Sequence, residues 1–286
     1  MNTRYILVGG GVVLPYMEGG KADGTPVIFL HGVTDSHRSF ELLFPHLSPE
    51  LRAIALTQRG HGDAPRLEGP YTPQALADDL NAFMDAMGIK AAYIVGHSMG
   101  SFAAQRFAID HPERVLGLVL IGSFTTCRDK EDVKAFVQEA VEPLTDPIPI
   151  EFAEEFQKST IAGPVPPEFF RTAVMESRKV PARIWKACMK AMIEADHTPE
   201  LGEVSARTLL IWGDQDAYFS RAEQEKLLGL ITNSRLEVYE GCGHAPNWEE
   251  PERLAGDLLR FVAGVEAAAA EDRAGEPVRS LAGQAA

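Results

Sequence analysis

Cysteine, basic charge and long apolar runs are all scarce in this chain of 286 residues, and each shortage removes a class of function. The three cysteines, Cys127, Cys188 and Cys242, are odd in number and widely spaced, with no C-x-x-C pair. That pattern supports neither a disulfide framework nor a zinc site. Free thiols fit a reducing compartment, so a cytoplasmic location is expected. No window holds eighteen consecutive apolar residues, so no membrane-spanning helix is expected. Lys and Arg number 27 against 41 Asp and Glu, a formal net charge of -14. An acidic surface repels phosphate backbones and anionic lipid, so neither nucleic acid nor a membrane is an expected partner. There are no repeats at solenoid periods and no H-E-x-x-H, Walker A or EF-hand pattern. The run Gly9-Gly10-Gly11 lacks the later glycine of G-x-G-x-x-G, because position 14 is Leu14. No metal and no nucleotide cofactor is therefore expected. The N-terminal stretch MNTRYILVGGGVVLPYM has an apolar run after Arg4, but three glycines break it and no A-x-A cleavage site follows. It reads as strand–turn–strand rather than as a signal peptide.

What is present is the composition of a globular protein, 45% hydrophobic, 24% charged and 8% aromatic. The length allows one large α/β domain or two smaller ones, with a core that needs no covalent staples. Apolar, β-branched runs with polar or glycine flanks occur at 27–30, 53–56, 92–95, 115–121, 208–212 and 236–239. Such runs read as buried parallel strands. Between them lie helical patterns. In 73–87, Leu76, Leu80, Phe83, Met84 and Met87 recur near a 3.6 period, and Thr72 before Pro73 suits an N-cap followed by proline at N1. Alternating strands and helices predict a mostly parallel sheet with helices on both faces.

The alternation lapses over 123–204, which is rich in Phe, Met and Pro and holds no convincing strand. Several helical segments broken by prolines are expected there. A helical insertion between two strands would cover the carboxyl ends of an open α/β sheet, where ligands bind. The expected division is thus a core of 1–122 and 205–263 and a helical cap of 123–204. After Val262 the chain becomes Ala-rich, mixed in charge and free of aromatics. The segment 264–286 is expected to be a disordered tail.

The sharpest chemical feature is Gly96-His97-Ser98-Met99-Gly100, between the apolar run 92–95 and the helical SFAAQRFAIDH. This is G-x-S-x-G in the strand–turn–helix setting that a nucleophile elbow requires. The bare pattern arises by chance in about one chain in ten of this length, so its setting carries the weight. A serine hydroxyl needs a base. Of eight histidines, only His244 lies beyond the last candidate acids, in a glycine-flanked loop after the strand 236–239. Asp214 and Asp216 both follow the strand 208–212, and no carboxylate stands directly after the strand 115–121. Asp216, further into its loop, is the candidate acid that orients His244, while Asp214 suits an Asx-type turn role. The backbone N–H groups of Met99 and Val33 are the candidate oxyanion donors, with Gly32 allowing the loop after 27–30 to approach closely. His31 reads as a structural hydrogen bonder, Arg59-Gly60-His61-Gly62 as a tight turn, and Cys242 as a packing residue.

With these motifs in this order, the chain resembles the cap-bearing α/β-hydrolases from about Val27 to Val262. The carriers are Phe29-Leu30-His31-Gly32, Gln58-Arg59-Gly60-His61-Gly62, the elbow, Leu210-Ile211-Trp212-Gly213-Asp214-Gln215-Asp216 and Gly243-His244-Ala245-Pro246. The resemblance implies about eight strands, a cap inserted after the sixth, and Asp216 as the acid that ends a G-x-x-D run. Thr57 departs from the Asp that relatives often carry before Gln-Arg-Gly. Relatives with Asp at the nucleophile position are dehalogenases and epoxide hydrolases, and Ser98 argues against both. The implied function is hydrolysis of a carboxylic ester or lactone through an acyl-enzyme on Ser98. C–C bond hydrolysis or a lyase reaction could use the same triad, although Val33-Thr34-Asp35-Ser36-His37 is not the Gly-rich stretch common in C–C hydrolases. A small-molecule-binding protein without catalysis is the third reading. The apolar insertion suggests a substrate with substantial apolar surface.

Overall fold

The structure, a computed structural model, describes residues 2–275. Eight strands form one sheet: β1 (Arg4–Leu7), β2 (Val13–Gly20), β3 (Thr25–Leu30), β4 (Leu51–Leu56), β5 (Ala92–His97), β6 (Val115–Ile121), β7 (Thr208–Gly213) and β8 (Ser234–Tyr239). Their order is β1-β2-β4-β3-β5-β6-β7-β8. The β1–β2 and β2–β4 pairs are antiparallel and every pair from β4–β3 onward is parallel. The six expected strands are therefore all present, joined by the N-terminal hairpin.

Both faces of the sheet are covered, which is why its central strands are apolar without interruption. Along β3, Ile28 and Leu30 face a core shared with Leu80, Phe83 and Phe102. The alternate residues Val27 and Phe29 face a second core with Phe40, Leu258 and Phe261. The helices are α1 (Pro73–Ala86), α2 (Met99–Asp110), α3 (Glu131–Phe136), α4 (Ile150–Ser159), α5 (Pro167–Lys179), α6 (Ala182–Glu194), α7 (Arg221–Leu230), α8 (Pro246–Glu249) and α9 (Pro251–Gly275). The start of α1 follows its sequence signal: Thr72 Oγ1 accepts from the N–H of Ala75 at 3.2 Å, with Pro73 opening the helix. Between β6 and β7 the chain runs through α3 to α6, and Thr126–Asp196 is an isolated bridge. Among the described residues no helix is long and apolar enough to cross a membrane.

One expectation is corrected. The segment 264–286 was expected to lack order, but α9 continues to Gly275, so 264–275 is helical. Alanine is the strongest helix former, so an Ala-rich stretch continues a helix that is already anchored. The anchor is Leu254, Leu258, Phe261 and Val262 in the second core, with Val265 packed against it. Thr25 Oγ1 also donates to Glu266 Oε1 at 3.1 Å. The remaining part of that expectation, 276–286, lies outside the described residues.

The parallel strands all end on the same edge of the sheet. The loops after β3, β5, β7 and β8 carry Val33, Ser98, Asp216 and His244, so residues distant in sequence meet at one place.

Candidate active site

Ser98 stands between β5 and α2 with φ 52° and ψ -119°. Positive φ is unusual for a residue with a side chain and costs of order 1–3 kcal/mol, so the turn must be held by its surroundings. The Ser98 N–H donates to Ile121 O at 2.9 Å, fixing the elbow to β6. The flanking glycines are sterically required. A Cβ on Gly96 would lie 2.4 Å from Gly100 O, and one on Gly100 would lie 2.2 Å from Leu30 O. Ser98 occupies the N-cap position of α2 but makes no capping bond with its side chain. Its hydroxyl instead lines a cavity of about 440 Å³ that His244 also lines. No hydrogen bond joins Ser98 to His244 among the described residues; such contacts are often long before substrate binds.

His244 lies in the loop between β8 and α8. Its Nδ1 is 2.8 Å from Asp216 Oδ2. Asp216 Oδ1 accepts from the backbone N–H groups of Tyr218 at 2.8 Å and Phe219 at 3.1 Å. Burial acts to raise the Asp216 pKa, but the adjacent His244 and the two amides outweigh it and hold the carboxyl below its usual range. An ionised Asp216 fixes the tautomer with hydrogen on Nδ1, which leaves Nε2 as a base.

The imidazole loop is tied down from three sides. His97 Nε2 donates to His244 O at 3.0 Å. Glu249 Oε1 accepts from Gly243 N at 2.8 Å. The N–H of Ala245 donates to Thr160 O at 3.1 Å, joining the loop to the end of α4. Burial and the neighbouring His244 push the His97 pKa down to about 3, so His97 stays neutral.

The two backbone groups expected as oxyanion donors flank this site. Met99 opens α2, where an N–H has no intrahelical acceptor and meets the positive end of the helix. Val33 lines the cavity from the loop after β3, ahead of Thr34 with φ 69°. Asp214 takes a different place from Asp216. It is exposed and accepts from Gly241 N at 2.7 Å. His31 bridges two loops, donating from Nδ1 to Gly32 O at 2.8 Å and accepting from Gln58 N at 3.0 Å. Cys242 is buried, and burial raises its thiol pKa, so it is a packing residue.

Sequence reasoning missed a polar cluster that lines the same cavity as Ser98. Asp35 is buried in the cavity wall, with Oδ1 accepting from Gln157 Nε2 at 3.0 Å and Oδ2 accepting from Ser39 Oγ at 3.3 Å. Burial raises its pKa to about 7. Gln157 belongs to α4, so this contact joins the loop after β3 to the inserted helices. The one sequence signal was a carboxylate two residues from the candidate donor Val33.

The α/β hydrolase fold family matches residues 25–251. A 2-hydroxy-6-oxo-6-phenylhexa-2,4-dienoate hydrolase of Comamonas testosteroni is 31% identical over 201 residues, covering 63% of this chain and 67% of that protein. The 3-oxoadipate enol-lactonase 2 of Acinetobacter baylyi is 28% identical over 242 residues, covering 84% and 90%. A thermophilic esterase from Thermogutta terrifontis superposes with a TM-score of 0.81 at 26% identity, covering 93% of this chain and 99% of that one. The chain belongs to the α/β hydrolase fold family.

Proposed function

We propose that this protein is a serine hydrolase that cleaves a carboxylic ester or lactone of a small molecule with an apolar portion. The carrying observation is the Asp216–His244 pair at 2.8 Å, opening onto the same cavity as the left-handed Ser98. In this reading His244 Nε2 takes the proton of Ser98 as Oγ attacks the ester carbonyl carbon. The carbonyl oxygen becomes an oxyanion, which the N–H groups of Val33 and Met99 stabilise. The imidazolium, stabilised by Asp216, then protonates the leaving alcohol as the C–O bond breaks. Water, activated by the same imidazole, hydrolyses the acyl-enzyme. For a lactone the leaving alcohol stays attached, and the product is one hydroxy acid.

The helices α3 to α6 act here as a cap of 123–204 over a core of 1–122 and 205–263. They supply Phe136, Phe152, Phe156, Met189 and Met192 to the cavity lining, which favours an apolar acyl or alcohol group. No metal, cofactor, nucleic acid or membrane has a part in this chemistry. The three free, buried cysteines accord with the cytoplasm.

The test is turnover of p-nitrophenyl butyrate by the wild type and by Ser98→Ala. Loss of at least about 10³-fold in kcat is expected for the variant. Retained turnover would remove Ser98 as nucleophile. A second reading, hydrolysis of a C–C bond by the same triad, is favoured by the dienoate hydrolase relatives. Incubating a ring-cleavage dienoate beside simple esters separates the two.

A further inference from the structure

The cavity lining divides into an apolar part, from α3, α4 and α6, and a polar part near Ser98. The polar part is rich in acceptors and poor in donors. The protons of its side-chain donors are already engaged. Ser159 Oγ donates to Phe156 O, Thr160 Oγ1 to Gln157 O, and the Tyr218 hydroxyl, left with Ser159 Oγ as its acceptor, donates there. Trp248 Nε1 donates to Ser39 Oγ, and Gln157 Nε2 to Asp35 and Ser177. His97 donates from Nε2 to His244 O, which leaves Nδ1 as an acceptor. Above pH 7, where Asp35 is ionised, no lining side chain among the described residues holds a free proton outside the His244 relay, apart from Ser98 and the weakly donating Cys127 thiol.

Two further acceptors behind this wall, His97 Nδ1 and Gln157 Oε1, lack a protein partner and are closed off from the cavity. Asp35 adds a carboxylate. Its Oδ2 lies 3.2 Å, and His97 Nδ1 3.1 Å, from the point a Cβ on Gly32 would occupy, so both lie against Gly32. Asp132 and Glu155, both exposed, put two more carboxylates on the lining. No Lys or Arg among the described residues lines the cavity. A carboxylate entering from water would lose its hydration with no cation or side-chain donor to replace it, and would face like charge. A group that presents O–H or N–H would instead meet the carboxylates of Asp35, Asp132 and Glu155.

We propose that the site selects esters or lactones that carry no carboxylate, and that Asp35 is the residue that sets this selection. The selection rests on the serine-hydrolase reading above and narrows its substrate class to molecules that are uncharged or that present hydrogen-bond donors. It also separates this chain from the Comamonas testosteroni relative named for a dienoate, whose substrate bears a carboxylate.

The test uses p-nitrophenyl hexanoate and the mono-p-nitrophenyl ester of adipic acid. Their acyl chains are equally long and differ by a terminal methyl against a terminal carboxylate. At pH 8 and low salt, kcat/KM of the wild type is expected to favour the hexanoate at least about 100-fold. Asp35→Asn should narrow that ratio at least about tenfold, chiefly through a lower KM for the adipate ester. Glu155→Gln, at an exposed position, should narrow it about twofold to threefold, an effect that vanishes in high salt. A wild-type ratio within about threefold of unity overturns the proposal, as does a folded Asp35→Asn with an unchanged ratio. Should Asp35→Asn fail to fold, the wild-type ratio decides: it should narrow from pH 8 to pH 6 as Asp35 takes up its proton, and a ratio unchanged across that range overturns the role of Asp35. Turnover of neither ester, with no labelling of Ser98 by a neutral fluorophosphonate, strikes the serine-hydrolase reading itself and removes both.

Discussion

Asp35→Asn should change how stability depends on pH, and the size follows from burial. In an unfolded chain the Asp35 carboxyl titrates at its ordinary value of 3.8, whereas burial in the fold raises it to about 7. Between those values the folded state holds a proton that the unfolded state has released, so stability falls as pH rises. Above the folded value both states are ionised and the dependence ends. Each pKa unit is worth about 1.4 kcal/mol, so the wild type should lose about 3 kcal/mol from this group between pH 5 and pH 8. The groups that face Asp35 are Gln157 of α4, Ser39, His244 of the loop after β8 and Glu176 of α5. The two hydrogen bonds and His244 favour its ionised form, and Glu176 opposes it. Asn cannot titrate. The stability of Asp35→Asn minus that of the wild type, from urea unfolding at each pH, should therefore rise by about 3 kcal/mol from pH 5 to pH 8. Any constant cost of the substitution cancels in that slope. A difference that stays flat across the range would refute the burial argument.

Two further substitutions test the geometry of the site. Gly100→Ala places a Cβ 2.2 Å from Leu30 O and 2.6 Å from His31 O, so the turn at Ser98 or the loop after β3 must move. A displacement of about 1 Å there should cost at least about 100-fold in kcat, with a lowered melting temperature, measured by ester kinetics and calorimetry. Asp216→Asn should cost about 10³–10⁴-fold in kcat at neutral pH with the fold intact, because Asn can turn its amide toward His244 Nδ1 and favour the wrong tautomer. Circular dichroism beside the kinetics separates that loss from unfolding.

The strands and the meeting of Ser98, Asp216 and His244 at one edge of the sheet were legible in the sequence for one reason. Central parallel strands are buried on both faces, so they run apolar throughout, and the residues at their carboxyl ends are marked by the polar break that follows. Ser98, Asp216 and His244 all stand at such breaks. Asp35 does too, but its significance depends on Gln157, on a helix 122 residues away in sequence. Neither residue alone signals that the pair is buried and faces the cavity. The end of α9 was misread because alanine-rich composition resembles an unstructured tail. What decides the matter is attachment: Val265 packs on the second core and Glu266 meets Thr25 at the start of β3. The separation of Asp214 from Asp216 was legible by position in the loop. The added physical content is that two backbone amides and His244 converge on Asp216, while Asp214 accepts from the exposed Gly241 N–H.

The central claim is that Ser98 is an activated nucleophile. Its most direct test is intact mass after treatment with a small neutral fluorophosphonate, with Ser98→Ala as control. A single adduct on the wild type and none on the variant is the expected result. An unlabelled wild type, or a variant labelled as fast as the wild type, would contradict it.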